Sequence, residues 1–259
     1  MNSHTQLVET NAYSSYVPQA MPVWKRMMDI VCSLAALPVL IPLTTAIALI
    51  TKFSSPGPIL FKQPRVGLGG REFLCYKFRT MKVNADTTGH QAYLNQLIGS
   101  NAPMVKLDAK GDSRLIPGGW LLRATGLDEL PQMLNVLRGD MSLVGPRPCI
   151  RYEYESYTPW QKQRFISQPG LTGLWQVSGK NKTTFNEMIR LDIQYANTKS
   201  PWLDLKIMLL TVPALIVQLL ETKLSRKAST VQPIASVAKS CVDTMPTATS
   251  KSRSELSTA

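Results

Sequence analysis

The sequence predicts a helix-rich α+β protein: an N-terminal re-entrant membrane helix, residues 25–52, bearing a small cytoplasmic domain with interfacial amphipathic helices. Three observations predict it. Residues 30–50 hold no charged side chain. Pro38 and Pro42 lie inside that run. Beyond it, strand-like and helix-like patterns alternate with Pro- and Gly-rich turns as far as about residue 200.

Each element follows from local composition. Residues 1–24 are polar, with Glu9 as their one acidic residue, and lack the basic start and apolar stretch of a secretory signal. They read as a flexible arm. The uncharged run of 21 residues would extend roughly 32 Å as a helix, enough for a bilayer core. Soluble cores rarely hold so long a run that is apolar all round. Pro38 and Pro42 each remove a backbone hydrogen bond and bend the helix. Lys25 and Arg26 precede the run, and Lys52, Lys62 and Arg65 follow it. Basic flanks favour the cytoplasm, so a helix that enters and leaves by one leaflet keeps both clusters on that side.

Residues 53–221 form the main domain. Ser-Ser-Pro-Gly-Pro at 54–58 is a turn. Residues 58–61 and 72–79 read as short strands around a glycine-rich turn at 67–70. Residues 86–98 are weakly helical. Residues 128–137 read as a helix with Asp128 at the N-cap, Pro131 in the first turn and Gly139 just past the end. Leu130, Met133, Leu134 and Leu137 form its expected buried stripe. The aromatic residues Tyr152, Tyr154, Tyr157 and Trp160 suit helix packing better than base stacking. A second apolar run at 207–220 holds 14 residues and Pro213. It is too short to span, and fits an interfacial or docked core helix. Residues 222–259, rich in Ser, Thr, Ala and Lys, form a disordered basic tail.

The chain carries 29 basic against 17 acidic residues. That balance suits phosphorylated substrates or an anionic membrane face. Nucleic acid is not expected, because the charge is spread and no nucleic-acid motif appears. The four cysteines are scattered without a C-x-x-C pair, which fits a reducing compartment and no disulfide framework.

Asp128 and Glu129 at a helix start have an ordinary explanation: free N–H groups and the dipole welcome negative charge. Their neighbours add another. Arg123 lies five residues earlier, and Pro146-Arg147-Pro148 follows. Carboxylates beside arginines suit phosphoryl chemistry. Arginines hold phosphate oxygens bidentately. A carboxylate can hold magnesium or act as a nucleophile. Lys77 and Arg79 would share one strand face. Arg65 to Arg71 brackets three glycines without the G-K-[ST] of a P-loop. His4 and His90 carry no ligand pattern.

At these residues the chain resembles the bacterial sugar transferases, the monotopic polyprenyl-phosphate phosphoglycosyl transferases, in a short exopolysaccharide-type form. The likeness runs from about residue 25 to 215. It includes Lys25-Arg-Met-Met-Asp-Ile30, Ser55-Pro-Gly-Pro58, Lys77-Phe-Arg-Thr-Met81, Leu127-Asp-Glu-Leu-Pro-Gln132, Asn135-Val-Leu-Arg-Gly139, Met141-Ser-Leu-Val-Gly-Pro-Arg-Pro148 and Pro169-Gly-Leu-Thr-Gly-Leu-Trp-Gln-Val-Ser-Gly179. The resemblance implies that 53–221 is the catalytic domain, with Asp128 as nucleophile and Glu129 as its partner toward Mg2+. It implies Arg123 and Arg147 as donor-binding residues; Lys77 and Arg79 join them as substrate-binding candidates. It also implies a re-entrant helix bent at Ser-Pro. Here that pair reads Ile41-Pro42, with Pro38 extra. The family's Asp-Pro-Arg reads Asp112-Ser113-Arg114, and the serine before its Leu-Asp-Glu reads Gly126.

The implied reaction moves a hexose 1-phosphate, glucose or galactose, from a UDP-sugar to polyprenyl phosphate with release of UMP. It takes place on the cytoplasmic leaflet of a bacterial inner membrane. Rival readings are a glycosyltransferase that releases UDP and a basic membrane-tethered binding protein. The sequence leaves the oligomeric state open, a homodimer included.

Overall fold

The computed structural model describes residues 17–85, 112, 114–179 and 183–231, with backbone alone over 225–231. The expectations for residues 1–16, for a weak helix at 86–98 and for the chain beyond 231 fall outside the described residues.

The apolar run forms part of one long helix, α1 (Val23–Ser54), with Pro38 and Pro42 inside it. Its polar residues are placed for packing. Lys25, Asp29 and Ser33 recur at a spacing of four and are buried at its start. Ile47 and Thr51 are buried near its end, while no side chain from 34 to 46 is buried. Lys25 Nζ donates to Asp204 Oδ2 at 2.5 Å and to the Tyr195 hydroxyl at 2.8 Å. Asp29 Oδ1 accepts from Ser142 Oγ and Leu143 N, both at 2.9 Å. Lys25 therefore departs from the expectation of a free basic flank: it is a buried partner of a carboxylate.

Strands β1 (Leu60–Val66) and β2 (Glu72–Phe78) pair antiparallel, with Gln63 opposite Cys75. Gly69 and Gly70 adopt φ of 63° and 78° in the connecting turn, a region open to glycine at little cost. The first strand starts later than expected and runs further, through Pro64.

Helix α2 (Gly119–Thr125) ends at Gly126, in the left-handed region at φ 72°. A 3-10 turn (Leu127–Gln132) and α3 (Met133–Arg138) follow. Asp128 is thus inside the first turn, and Gly126 holds the cap position assigned to Asp128. Gly139 closes α3 at φ 92° as expected. The buried face is Gln132, Asn135 and Val136, not the leucine stripe; Leu134 is 47% exposed. Asn135 sets this orientation. Its amide donates to Leu74 O at 2.7 Å and accepts from Tyr76 N at 3.2 Å, satisfying the β2 backbone. Arg26 donates to Val136 O and Leu137 O at 2.6 Å each, so α1 caps the carbonyl end of α3.

Strands β3 (Ser142–Val144) and β4 (Gly170–Thr172) pair in parallel. Short helices α4 (Arg151–Ser156) and α5 (Pro159–Lys162) lie between the two strands in sequence, and α6 (Leu174–Val177) follows β4. Helix α7 (Phe185–Thr198) opens with a Thr184–Glu187 capping box. Its inner face spans two cores. Phe185, Met188 and Ile189 join Val66, Cys149, Tyr157, Phe165 and Trp175. Tyr195 joins Val136, Met141, Leu143, Val144 and Ile207. Tyr154 and Trp160 pack on the first core, in line with the packing reading of the aromatic cluster.

Helix α8 (Pro201–Val231) is 31 residues long and continuous through Pro213. It corrects both the 14-residue expectation and a tail that begins at 222. The apolar run undercounts the helix because its polar members are satisfied: Asp204 by Lys25, and Gln218 by donating to Ala124 O at 2.9 Å. Residues past 221 extend an existing helix, which costs far less than starting one. Both α1 and the 201–224 portion of α8 are long and apolar enough to cross a membrane.

Candidate active site

Gly126 turns the chain so that Asp128 and Glu129 occupy the first 3-10 turn, with Glu129 N donating to Gly126 O at 3.0 Å. Asp128 is 8% exposed. Beneath them, β2 places Cys75 and Lys77 on one face, as strand alternation requires. Lys77 Nζ donates to Glu129 Oε1 at 2.6 Å, and Arg147 Nη1 stands 3.7 Å from the same oxygen.

Arg147 owes its position to a backbone junction. Gly145 N donates to Thr172 O at 2.8 Å, and Gly170 N to Pro146 O at 2.9 Å. A Cβ on Gly170 would lie 2.0 Å from Gly145 N; one on Gly173 would lie 2.4 Å from Gly145 O. Only glycine permits that approach. Two of the sequence motifs are therefore halves of one joint that aims Arg147. Below it, Arg164 Nη2 donates to Arg147 O at 2.9 Å while pairing with buried Asp192 at 2.5 Å.

These groups line a cleft: Arg65, Cys75, Lys77, Glu129, Gln132 and Arg147, with Pro148, Gly170, Leu171 and Gln176. Three cations face one carboxylate, so the cleft suits an anion. Cys75 supplies no thiolate, because burial pushes its thiol above the ordinary cysteine range.

The predicted site residues divide. Lys77, Glu129 and Arg147 come together. Asp128 adjoins them in sequence without lining the cleft. Arg123 lies on α2, and its charge acts on Asp112, itself held low by Arg114 at 2.7 Å. Arg79 is spent elsewhere: it is buried and donates to Pro58 O, Ser55 Oγ and Ser55 O at 2.7, 2.9 and 2.7 Å. It clamps the turn at 55–58, because the strand ends at Phe78 and alternation ends with it. Pro38 and Pro42, the expected break, lie inside α1, which runs as one helix through both. Sequence reasoning missed Arg65, Gln132 and Gln176 as cleft residues, and Arg164 beneath Arg147. Arg65 was readable in the basic bracket around the glycine turn, but only the strand register carries it to the cleft.

The family model for bacterial sugar transferases matches residues 20–218. The chain belongs to this family. A UDP-glucose:undecaprenyl-phosphate glucose-1-phosphate transferase of Caulobacter vibrioides is 40% identical over 82% of this chain and 77% of its own length. The exopolysaccharide production protein ExoY of Sinorhizobium fredii is 37% identical over 73% and 84%. The galactosyl transferase CpsE of Streptococcus agalactiae is 45% identical over 74% of this chain and 42% of its own length. This bacterial sugar transferase thus spans less than half of CpsE and most of the other two.

Among the described residues, no three His, Cys, Asp or Glu side chains converge as a metal cage. Glu129, the carboxylate that lines the cleft, is a hard oxygen donor of the kind that fits magnesium, which takes one or two carboxylates and completes its shell with phosphate and water.

Proposed function

We propose that this phosphoglycosyl transferase moves a hexose 1-phosphate from a UDP-sugar to polyprenyl phosphate in exopolysaccharide synthesis, through a covalent intermediate on Asp128. The observation that carries the reading is the cleft in which Lys77 and Arg147 converge on Glu129, next to Asp128. Glu129, held by Lys77 and Arg147, is suited to holding charge, and the family resemblance assigns the attack to Asp128. An Asp128 carboxylate oxygen bonds to the sugar-bearing phosphorus. The bond from that phosphorus to the bridging oxygen breaks, and UMP leaves with the electron pair. A phosphate oxygen of polyprenyl phosphate then attacks the same phosphorus and frees Asp128. Neither step needs a general base. Lys77 and Arg147 offset phosphate charge, the main catalytic lever in phosphoryl transfer. The chemistry that magnesium bound at Glu129 supplies is further neutralisation of the diphosphate.

The membrane arrangement supports a lipid acceptor. Helix α1 is buried at both ends and unburied between them, which favours a re-entrant helix over a crossing one. In α8, Ile207 and Gln218 both dock on the domain, about 16 Å apart along the helix, while Trp202, Leu209, Val212, Ile216 and Leu220 are exposed. That pattern suits a helix lying in the interface of the cytoplasmic leaflet.

Incubation with UDP-glucose or UDP-galactose labelled in the sugar, without lipid, tests the scheme. The expected result is label on the protein that Asp128→Asn abolishes, with UMP in solution. Release of UDP, or no adduct in a preparation that turns over with lipid, overturns it.

A further inference from the structure

Arg65 lines the cleft beside Arg147, and its hydrogen bonds go to neutral acceptors. Its Nε and Nη2 donate to Gln63 Oε1 at 3.1 and 2.7 Å, and its Nη1 donates to Pro148 O at 3.4 Å. Those acceptors are neutral. None of the ion pairs among the described residues includes Arg65. Burial, and next the neighbouring Arg147 guanidinium, hold it below the ordinary arginine range, while Glu153 and Glu129 oppose this more weakly. Arg65 is half-buried, and a partly desolvated cation beside a like charge gains when an anion joins it. A guanidinium has five N–H donors, and three are engaged here. Gln63 fixes the fork by gripping one edge.

We propose that Arg65 is a phosphate-binding residue of this cleft, donating its remaining N–H groups to a phosphoryl oxygen beside Arg147, with Gln63 as its positioning residue. This rests on the reading of the cleft as the site of phosphoryl transfer. The phosphoryl group belongs either to the nucleotide diphosphate or to the lipid phosphate. Both carry the same oxygens, and the experiment separates them.

The full chain in nanodiscs is titrated with UDP in the absence of polyprenyl phosphate, for the wild type and for Arg65→Gln, Arg65→Lys and Gln63→Ala. Arg65→Gln is expected to weaken UDP binding about 10- to 100-fold, the usual range for a lost hydrogen bond to a charged group. Arg65→Lys recovers part of this, since it keeps the charge and loses the fork. Gln63→Ala weakens binding in the wild type and adds nothing in the Arg65→Gln background. The ligand-free Tm of Arg65→Gln equals or exceeds that of the wild type, a result a merely structural arginine would not give. Unchanged UDP affinity with a tenfold higher KM for polyprenyl phosphate supports the proposal and assigns the lipid phosphate. Unchanged values for both substrates overturn it, as does a lower ligand-free Tm with normal affinity in the folded fraction. Inorganic pyrophosphate separates the two readings: if the wild type binds it and not UDP, the nucleotide reading fails. Arg65 is then judged on pyrophosphate by the same fold-change.

Discussion

Lys77 and Arg79 are two residues apart and do unrelated work. Lys77 ends on Glu129, in the cleft. Arg79 is enclosed and holds the 55–58 turn through three hydrogen bonds. Replacing each by methionine separates the roles. Lys77→Met is expected to lower UMP release about 100-fold, the cost of removing one preorganised donor, with little change in Tm. Arg79→Met is expected to cost about 2–4 kcal/mol of stability by leaving buried acceptors unpaired, while activity per folded molecule survives. Thermal denaturation alongside a UMP-release assay checks both. The sequence rule of alternation is sound within β2, and for that reason Lys77 was legible. It fails at Arg79 because the strand ends one residue earlier, and a strand end leaves no periodicity mark.

Elements here are aimed by backbone contacts more than by apolar pattern. The leucine stripe misjudged α3 because Asn135, a polar residue, is the one that docks; hydrophobic periodicity has no means to find a buried amide. Gly139, by contrast, was visible as punctuation and is left-handed; Gly126, read only as a replacement of the family's serine, takes the same backbone region. The Gly145–Gly170 joint predicts a sharp response. Gly170→Ala places a methyl group 2.0 Å from Gly145 N, against backbone that cannot yield like a side chain. It is expected to unfold the 145–148 segment or displace Arg147, read as a lower Tm of the purified chain in nanodiscs and loss of UDP binding. Helix α7 gives a pH prediction. The Thr184 backbone N–H, then its hydroxyl, hold Glu187 below the ordinary glutamate value of 4.5. A depressed carboxylate stabilises the fold above its unfolded pKa and loses that contribution as pH falls through the lower folded value. Stability therefore declines in acid below about 4.5, and Glu187→Gln removes this part of the slope, as Tm measured across pH 3–7 will reveal.

At the scale of the whole molecule, α1 packs at both ends against the domain that follows it. The length and hydropathy of α1 were legible in sequence; its joints were not, since Lys25 reads as a basic flank and Asp29 as one letter of the Lys25–Ile30 motif until Asp204, Ser142 and Leu143 close on them. Asp204 lies 179 positions from Lys25, beyond any local rule. The pair is fully buried, so breaking it leaves one uncompensated charge, a loss of about 3–5 kcal/mol, whereas apolar replacement of both partners is near neutral. Lys25→Met is accordingly expected to lower Tm strongly, and Lys25→Met with Asp204→Leu to recover most of it. The same geometry fixes the topology to be tested. Asp29 near one end of α1 and Thr51 near the other are both enclosed, and side chains midway are not. A helix that crossed the bilayer would carry one of those ends away from the domain. Protease sites placed before Val17 and after Val231 should therefore both be cut in inverted membrane vesicles and both be protected in right-side-out ones. Protection of the first site alone in inverted vesicles would mean that α1 crosses. The burial of Thr51 would then need a partner other than this domain.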